Sequence, residues 1–138
     1  MLQGIGITAI GTLLLGGCSQ AGSNLPTATS TTCGSDTCID LGDTNNSDLA
    51  SVGGAMIVDL ARDTVVVIRT GDTTVTVLSD VCTHAGCTMD YNASTNQLDC
   101  PCHGSVFSLD GKVVTGPANR PVKVYSATMA SNTITITG

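Results

Sequence analysis

Two short cysteine–histidine segments constrain the fold more than any other feature of this sequence. "CTHAGC" begins at Cys82 and "CPCHGS" begins at Cys100, and the two histidines of the chain, His84 and His103, both lie inside them. Each segment therefore offers a thiolate and an imidazole within a few residues. Because metal ligands must converge in space, we expect the chain to fold so that both segments meet at one end of a domain.

Two cysteines and two histidines are the ligand set of two kinds of site. By residue type alone, Cys82, His84, Cys100 and His103 suit either a structural zinc ion or an iron–sulfur cluster. Fifteen residues separate His84 from Cys100, which is enough for a hairpin that carries both segments to the same end. Both kinds of site remain open at this point.

The rest of the chain predicts an all-β fold. All eleven acidic residues are Asp, so the helix former Glu is missing. Short runs rich in Val, Ile and Thr, such as "TVVVIRT", "TTVTVLS" and "NTITITG", often alternate apolar and polar residues, and turn signals such as "TGD" and "LDGK" separate them. We therefore predict a small antiparallel β-sandwich or barrel over residues 52–138, with the two segments in loops between strands.

The N-terminus resembles an export signal. Residues 1–17 carry no charged side chain and end in "LGGC", Leu15 to Cys18, which is similar to the bacterial lipobox whose cysteine becomes lipidated. The alternatives are an ordinary apolar segment and the remnant of a membrane anchor. No Lys or Arg precedes Arg62, although a signal needs a basic start. We therefore expect the true start codon to lie upstream of Met1.

Residues 18–51 are predicted to form a flexible linker. The segment is rich in Ser, Thr, Gly and Asn and shows no apolar period, and a chain of this length reaches roughly 30 Å. In an exported protein, Cys33 and Cys38 are expected to close a small disulfide loop, the alternative being two free thiols.

The cysteine–histidine segments resemble the signature of the Rieske [2Fe–2S] family, C-T-H-x-G-C with C-P-C-H-G-S. The resemblance continues through "VFSLDGKVVTGPANRPVKVY" and covers about residues 52–138. It implies one [2Fe–2S] cluster, with Cys82 and Cys100 on one iron and His84 and His103 on the other. It also implies four further roles: a disulfide between Cys87 and Cys102, a hydroxyl hydrogen bond from Ser105, close backbone approach at Gly86 and Gly104, and a covering third loop at "GPA" (Gly116, Pro117, Ala118).

The resemblance also implies a function. We expect an electron-transfer protein with no substrate site of its own, exported and lipid-anchored on the outer face of a bacterial cytoplasmic membrane. Its partners would be cytochrome c or a respiratory complex, or quinol. The formal charge of −6 disfavours nucleic acid as a partner.

Three alternatives accompany this expectation: a Rieske subunit of a quinol–cytochrome c reductase, the small subunit of a periplasmic molybdenum oxidoreductase, and a zinc-stapled domain without a redox role. Two departures from the quinol-oxidising pattern weigh against the first of these. Phe107 stands where that type usually has Tyr, and Ala85 stands where it usually has Leu.

Overall fold

The computed structural model describes residues 23–138, so Cys18 and the apolar segment 1–17 lie outside the described residues. The described chain consists of eleven antiparallel strands and one 3-10 helix, Thr44–Ala50. The strands are β1 (Thr31–Cys33), β2 (Asp36–Asp40), β3 (Ala55–Asp59), β4 (Thr64–Arg69), β5 (Val75–Ser79), β6 (Asp90–Asn92), β7 (Gln97–Asp99), β8 (Val106–Ser108), β9 (Val113–Thr115), β10 (Val124–Ala130) and β11 (Thr133–Thr137). The all-β prediction is confirmed.

The larger sheet has seven strands in the order β1-β2-β11-β10-β5-β4-β3. Strands β3 and β4, at one side of this sheet, are apolar without alternation, "AMIV" and "VVVI", because both of their faces are buried. One face packs on a core around Val65, Val67 and Ile134, and the other packs on a core around Ile68 and Phe107. By contrast, β10 alternates half-buried and exposed residues, as expected where one face meets water.

The smaller sheet carries the two cysteine–histidine segments. It is a meander in the order β6-β7-β8-β9. In the sequence, all four strands lie between β5 and β10, which pair with each other in the larger sheet. One segment leads into β6 and the other joins β7 to β8. Since β7 pairs with both β6 and β8, the two segments leave the sheet side by side at one end, as the sequence predicted.

The prediction of a flexible linker over residues 18–51 is wrong for the part that the structure describes. Strands β1 and β2 extend the larger sheet, with Ile39 of β2 opposite Ile134 of β11. Buried Ile39, Leu41 and Leu49 contribute to the core. The local sequence does not indicate these strands, because the apolar residues are sparse among Ser, Thr and Asn. The strands form because they pair with β11, which is distant in the sequence.

Residues 23–28 form an N-terminal strap across both sheets. At one end, the Ser23 hydroxyl and the Asn24 amide donate hydrogen bonds to Asp90 of β6, at 3.0 and 2.8 Å. At the other end, the Pro26 carbonyl accepts from the Ile57 amide at 2.8 Å, and Ala28 donates to the Ile57 carbonyl at 2.8 Å. The strap therefore ties the smaller sheet to β3 of the larger one.

One further sequence expectation concerns the disulfide between Cys33 and Cys38. Cys33 and Cys38 are joined by a disulfide in the β1–β2 hairpin, at the edge of the larger sheet. Among residues 23–138, no helix has the length and apolar character needed to cross a membrane.

Candidate metal centre

Two loops at the end of the smaller sheet share one hydrogen-bonding pattern. In the first loop, residues 82–87, Cys82 donates its amide to the Cys87 carbonyl at 2.8 Å, and Gly86 donates back to the Cys82 carbonyl at 2.9 Å. In the second loop, residues 100–105, Cys100 donates to Ser105 at 2.8 Å, and Gly104 donates to Cys100 at 3.0 Å. The two segments are therefore similar turns built on a cysteine at the first position and a glycine at the fifth.

The glycine at the fifth position has a conformational reason. Gly86 has φ of 72° and Gly104 has φ of 78°, in the left-handed region that L side chains rarely adopt. A Cβ at either position would meet no protein atom within 4 Å, so crowding by the described protein is not the cause. The turn itself requires glycine, and the close approach to a cluster that the resemblance implied stays a prediction.

The two thiols lie together beneath the loops. Cys82 is 2% exposed and Cys100 is 1% exposed, and both remain outside the disulfides. Burial, followed by the hydrogen bond to Cys82, raises the pKa of the Cys100 thiol above its ordinary value. A pair of buried, adjacent thiols is a suitable ligand pair for a metal, because a bound cation compensates the charge that burial disfavours.

The two imidazoles lie on the open side of the same loops. The rings of His84 and His103 are 4.8 Å apart between centroids and almost perpendicular, at 83°. Both residues are exposed, in contrast to the cysteines. The four residues predicted as ligands are therefore brought together as two pairs, one buried and one facing solvent.

This pairing can be compared with what each of the two kinds of site requires. Zinc requires four ligands around one point, whereas a [2Fe–2S] cluster with mixed ligands requires two thiolates at one iron and two imidazoles at the other. Within residues 23–138, no three His, Cys, Asp or Glu side chains converge on a single ion position. The donor set and its division into pairs fit the cluster.

A disulfide and a buried serine connect the loops. Cys87 of the first loop is bonded to Cys102 of the second, which confirms the predicted clamp. Ser105 is fully buried, and its Oγ accepts the amide hydrogen of Ala118 at 3.0 Å. Since that bond uses Ser105 only as an acceptor, its own hydrogen remains free to be donated elsewhere.

Ala118 lies in the third loop, residues 116–121, which contains the "GPA" sequence. This loop therefore packs beside the other two, and Ser105 holds it there through the Ala118 amide. Thr83 and Arg120 make further contacts between the first and third loops. Sequence reasoning missed this pair, because nothing local indicates a contact between residues 37 positions apart.

Asp80, at the base of the first loop, was also missed. It is 4% exposed, and its Oδ1 accepts the Met89 amide at 3.2 Å. Burial raises its pKa from 3.8 to about 7, and the carboxylates of Asp90, Asp63 and Asp59 add to the rise, while the Met89 amide opposes it. An Asp between "LS" and "VC" carries no sequence signal of burial.

We expect Asp80→Asn to remove a pH dependence of stability. Because the pKa is raised in the folded state, folding takes up a proton, and the parent should lose stability as pH rises from about 4 to about 7. At about 1.4 kcal/mol for each pKa unit, the cost above pH 7 is at most about 4 kcal/mol. The variant should therefore be more stable than the parent at pH 8 and similar to it at pH 4, by urea unfolding.

The control for this prediction is Asp48→Asn, which changes an exposed carboxylate of the 3-10 helix. It should keep the parent's pH profile. A difference in urea midpoint between the parent and Asp80→Asn that stays constant from pH 4 to pH 7 would show that Asp80 is not protonated in the folded state.

A small antiparallel domain that presents paired thiols and paired imidazoles on two clamped loops is an iron–sulfur electron-transfer domain. Comparison with protein families gives the particular kind: the Rieske [2Fe-2S] domain matches residues 43–126, more than half of the 138-residue chain. The chain belongs to this family. It is a Rieske electron carrier with one [2Fe–2S] cluster.

Curated relatives are subunits of a larger assembly. The chain is 37% identical over 84 residues to the cytochrome b6-f complex iron-sulfur subunit of Chlorobaculum thiosulfatiphilum, covering 61% of this chain and 46% of the relative. It is 42% identical over 71 residues to the corresponding subunit of Synechococcus sp. (strain JA-3-3Ab), covering 51% of this chain and 41% of the relative. The matches therefore span less than half of these relatives' length.

Solved structures show the same fold. The plasma membrane Rieske protein of the cyanobacterium Synechocystis PCC 6803 aligns with a TM-score of 0.62 at 28% identity, covering 72% of this chain and 99% of that one. The ferredoxin of carbazole 1,9a-dioxygenase from Nocardioides aromaticivorans aligns with a TM-score of 0.56 at 26% identity, covering 63% and 86%. The first of these supports the two-sheet architecture over almost its entire length.

Proposed function

We propose that this protein passes single electrons between redox proteins, with Cys82 and Cys100 holding one iron and His84 and His103 holding the other. The observation that carries the proposal is the buried thiol pair beneath the exposed imidazole pair. A bound [2Fe–2S] cluster supplies one-electron redox chemistry. The surrounding chain excludes water on the thiol side and leaves the imidazole side open to a partner.

The position of the cavities supports a carrier without a substrate site. A cavity of about 390 Å³ lies in the larger sheet, lined by side chains that include Leu60, Arg62 and Tyr125. None of its lining residues belongs to the three loops. A substrate held there would not meet the histidines, so electron exchange through direct contact of the loops with a partner is the better-supported mode.

Metal and sulfide analysis tests the ligand assignment. The purified protein should contain about two iron and two sulfide for each chain, and the reduced form should show a rhombic EPR signal with an average g below that of an all-cysteine cluster. Stoichiometric zinc without sulfide would contradict the assignment.

We expect Ser105→Ala to lower the reduction potential. A hydroxyl hydrogen bond to a cluster sulfur stabilises the reduced, more negative state, and the Ser105 hydrogen is free for such a bond. One hydrogen bond to a charged group is worth about 1.5–3 kcal/mol, which sets an upper limit of roughly 65–130 mV for one electron. A redox titration measures the shift.

The control for Ser105 is Ser108→Ala, which removes a hydroxyl of β8 that bonds Asp110 and the Lys112 carbonyl. It should leave the potential unchanged. An equal or higher potential in Ser105→Ala would show that the serine hydrogen points away from the cluster.

We place the protein on the outer face of a bacterial cytoplasmic membrane, anchored through a lipidated Cys18. The lipobox-like "LGGC" supports the anchor, and two disulfides within residues 23–138 support an oxidising compartment. A similar solved protein is described as a plasma membrane Rieske protein. Mass spectrometry should find a mature chain that begins at an acylated Cys18, and a mature chain that retains Met1 would contradict the anchor.

For the partner, a c-type cytochrome or a respiratory complex fits the proposal. A second candidate, the Rieske subunit of a quinol–cytochrome c oxidoreductase, is favoured by the relatives, which are cytochrome b6-f subunits. The two candidates predict different reductants. Rapid reduction of membrane-bound protein by quinol, together with copurification of a cytochrome b, would support the second candidate, and reduction by a soluble donor alone would support the first.

A further inference from the structure

Arg120 is the one Lys, Arg or Asp side chain within the three loops. In residues 82–87, 100–105 and 116–121, every other side chain is apolar, a hydroxyl, an amide, a cysteine or one of the two histidines. The protein as a whole carries a formal charge of −6. The charge of Arg120 is therefore opposite in sign to the net charge of the protein.

Two reciprocal hydrogen bonds hold Arg120 against the first loop. The Thr83 hydroxyl donates to the Arg120 carbonyl at 2.7 Å, and Nη2 of Arg120 donates to the Thr83 carbonyl at 3.4 Å. Thr83 lies between Cys82 and His84, the two candidate ligands of this loop. The guanidinium thus lies beside the peptide that joins Thr83 to the candidate ligand His84.

Among the described residues, no carboxylate forms an ion pair with Arg120. The one ion pair in this part of the chain joins Lys112 to Asp110, at 2.9 Å. The positive charge of Arg120 therefore acts on the candidate metal centre without a neutralising partner, although exposure to solvent weakens its electrostatic effect.

Reduction adds one negative charge to the centre, so a fixed cation nearby stabilises the reduced form more than the oxidised one. We propose that Arg120 is a positioning residue that raises the reduction potential of the cluster through its charge, held in place by Thr83. This inference rests on the ligand assignment under the proposed function. It assigns to the third loop an electrostatic role in addition to covering the site.

The test compares three variants by redox titration of the cluster at low ionic strength. Arg120→Gln removes the charge but keeps a donor for the Thr83 carbonyl, and it should lower the potential. Arg120→Lys keeps the charge and should retain most of the parent's potential. Lys112→Gln removes a cation at the β8–β9 turn, the opposite end of these strands from the loops, and should match the parent.

A second readout uses salt. The difference in potential between the parent and Arg120→Gln should shrink as ionic strength rises, because the effect is electrostatic. An Arg120→Gln potential equal to the parent's, or an Arg120→Lys potential as low as that of Arg120→Gln, would overturn the inference. A parent without a [2Fe–2S] EPR signal would instead refute the ligand assignment, so the two failures are distinguishable.

Discussion

Replacement of either histidine by alanine, His84→Ala or His103→Ala, should abolish cluster binding. The chain contains two histidines, so no other imidazole can take the vacant position. The remaining three ligands would leave one iron open to water, on the side of the site that is already exposed. Iron and sulfide content should fall from about two of each per chain to nearly none, measured on protein purified without oxygen.

The matched control is Ala85→Ser, which changes an exposed residue next to His84 without removing a ligand. It should retain a full complement of iron. Circular dichroism of the histidine variants should still show the β fold, because the core around Phe107 and Leu98 does not depend on either imidazole. Full cluster content in His84→Ala or His103→Ala would show that the site uses other ligands.

The second large effect is expected from Cys87→Ser or Cys102→Ser. Both variants keep the four candidate ligands but release the clamp between the two loops. A disulfide that closes a loop of 15 residues is worth about 3 kcal/mol in the chain-entropy model. Opening of the loops should therefore become about a hundredfold more frequent, the cluster lifetime should shorten, and water entry should lower the potential.

The other disulfide provides the control for this prediction. A double variant, Cys33→Ser with Cys38→Ser, removes the bridge of the β1–β2 hairpin. It should lower the thermal stability of the larger sheet and leave the potential unchanged. Equal cluster lifetimes in Cys87→Ser and the parent would mean that the loops hold together without the clamp.

The site could be predicted from the sequence because its parts are local. Cys82 with His84, and Cys100 with His103, fall within six-residue segments whose turns are determined by glycines at the fifth position. The contacts that join the segments to the rest of the molecule are not local. Arg120 and Thr83 are 37 residues apart, and Ser23 and Asp90 are 67 residues apart.

The sequence predicts the all-β class of the fold but not which residues belong to the folded domain. Alternation in "TITIT" and continuous apolar runs in β3 and β4 indicate strands directly. The order of residues 31–50 depends instead on pairing with β11, the last strand of the chain. A polar segment whose partner lies almost a hundred residues away shows no local sign of structure, so its sequence predicts a linker.

The strap changes how far the electron-carrying end can travel. Four residues lie between Cys18 and Ser23, which is hydrogen-bonded to Asp90, so five residue steps join the two positions. A fully extended chain of that length spans about 17 Å. If Cys18 carries the lipid, this short connection keeps the three loops of the candidate metal centre close to the membrane. The domain then cannot move between a site in the bilayer and a distant acceptor. Electrons would then move by lateral diffusion of whole molecules along the membrane, and turnover would depend on the surface density of the partner.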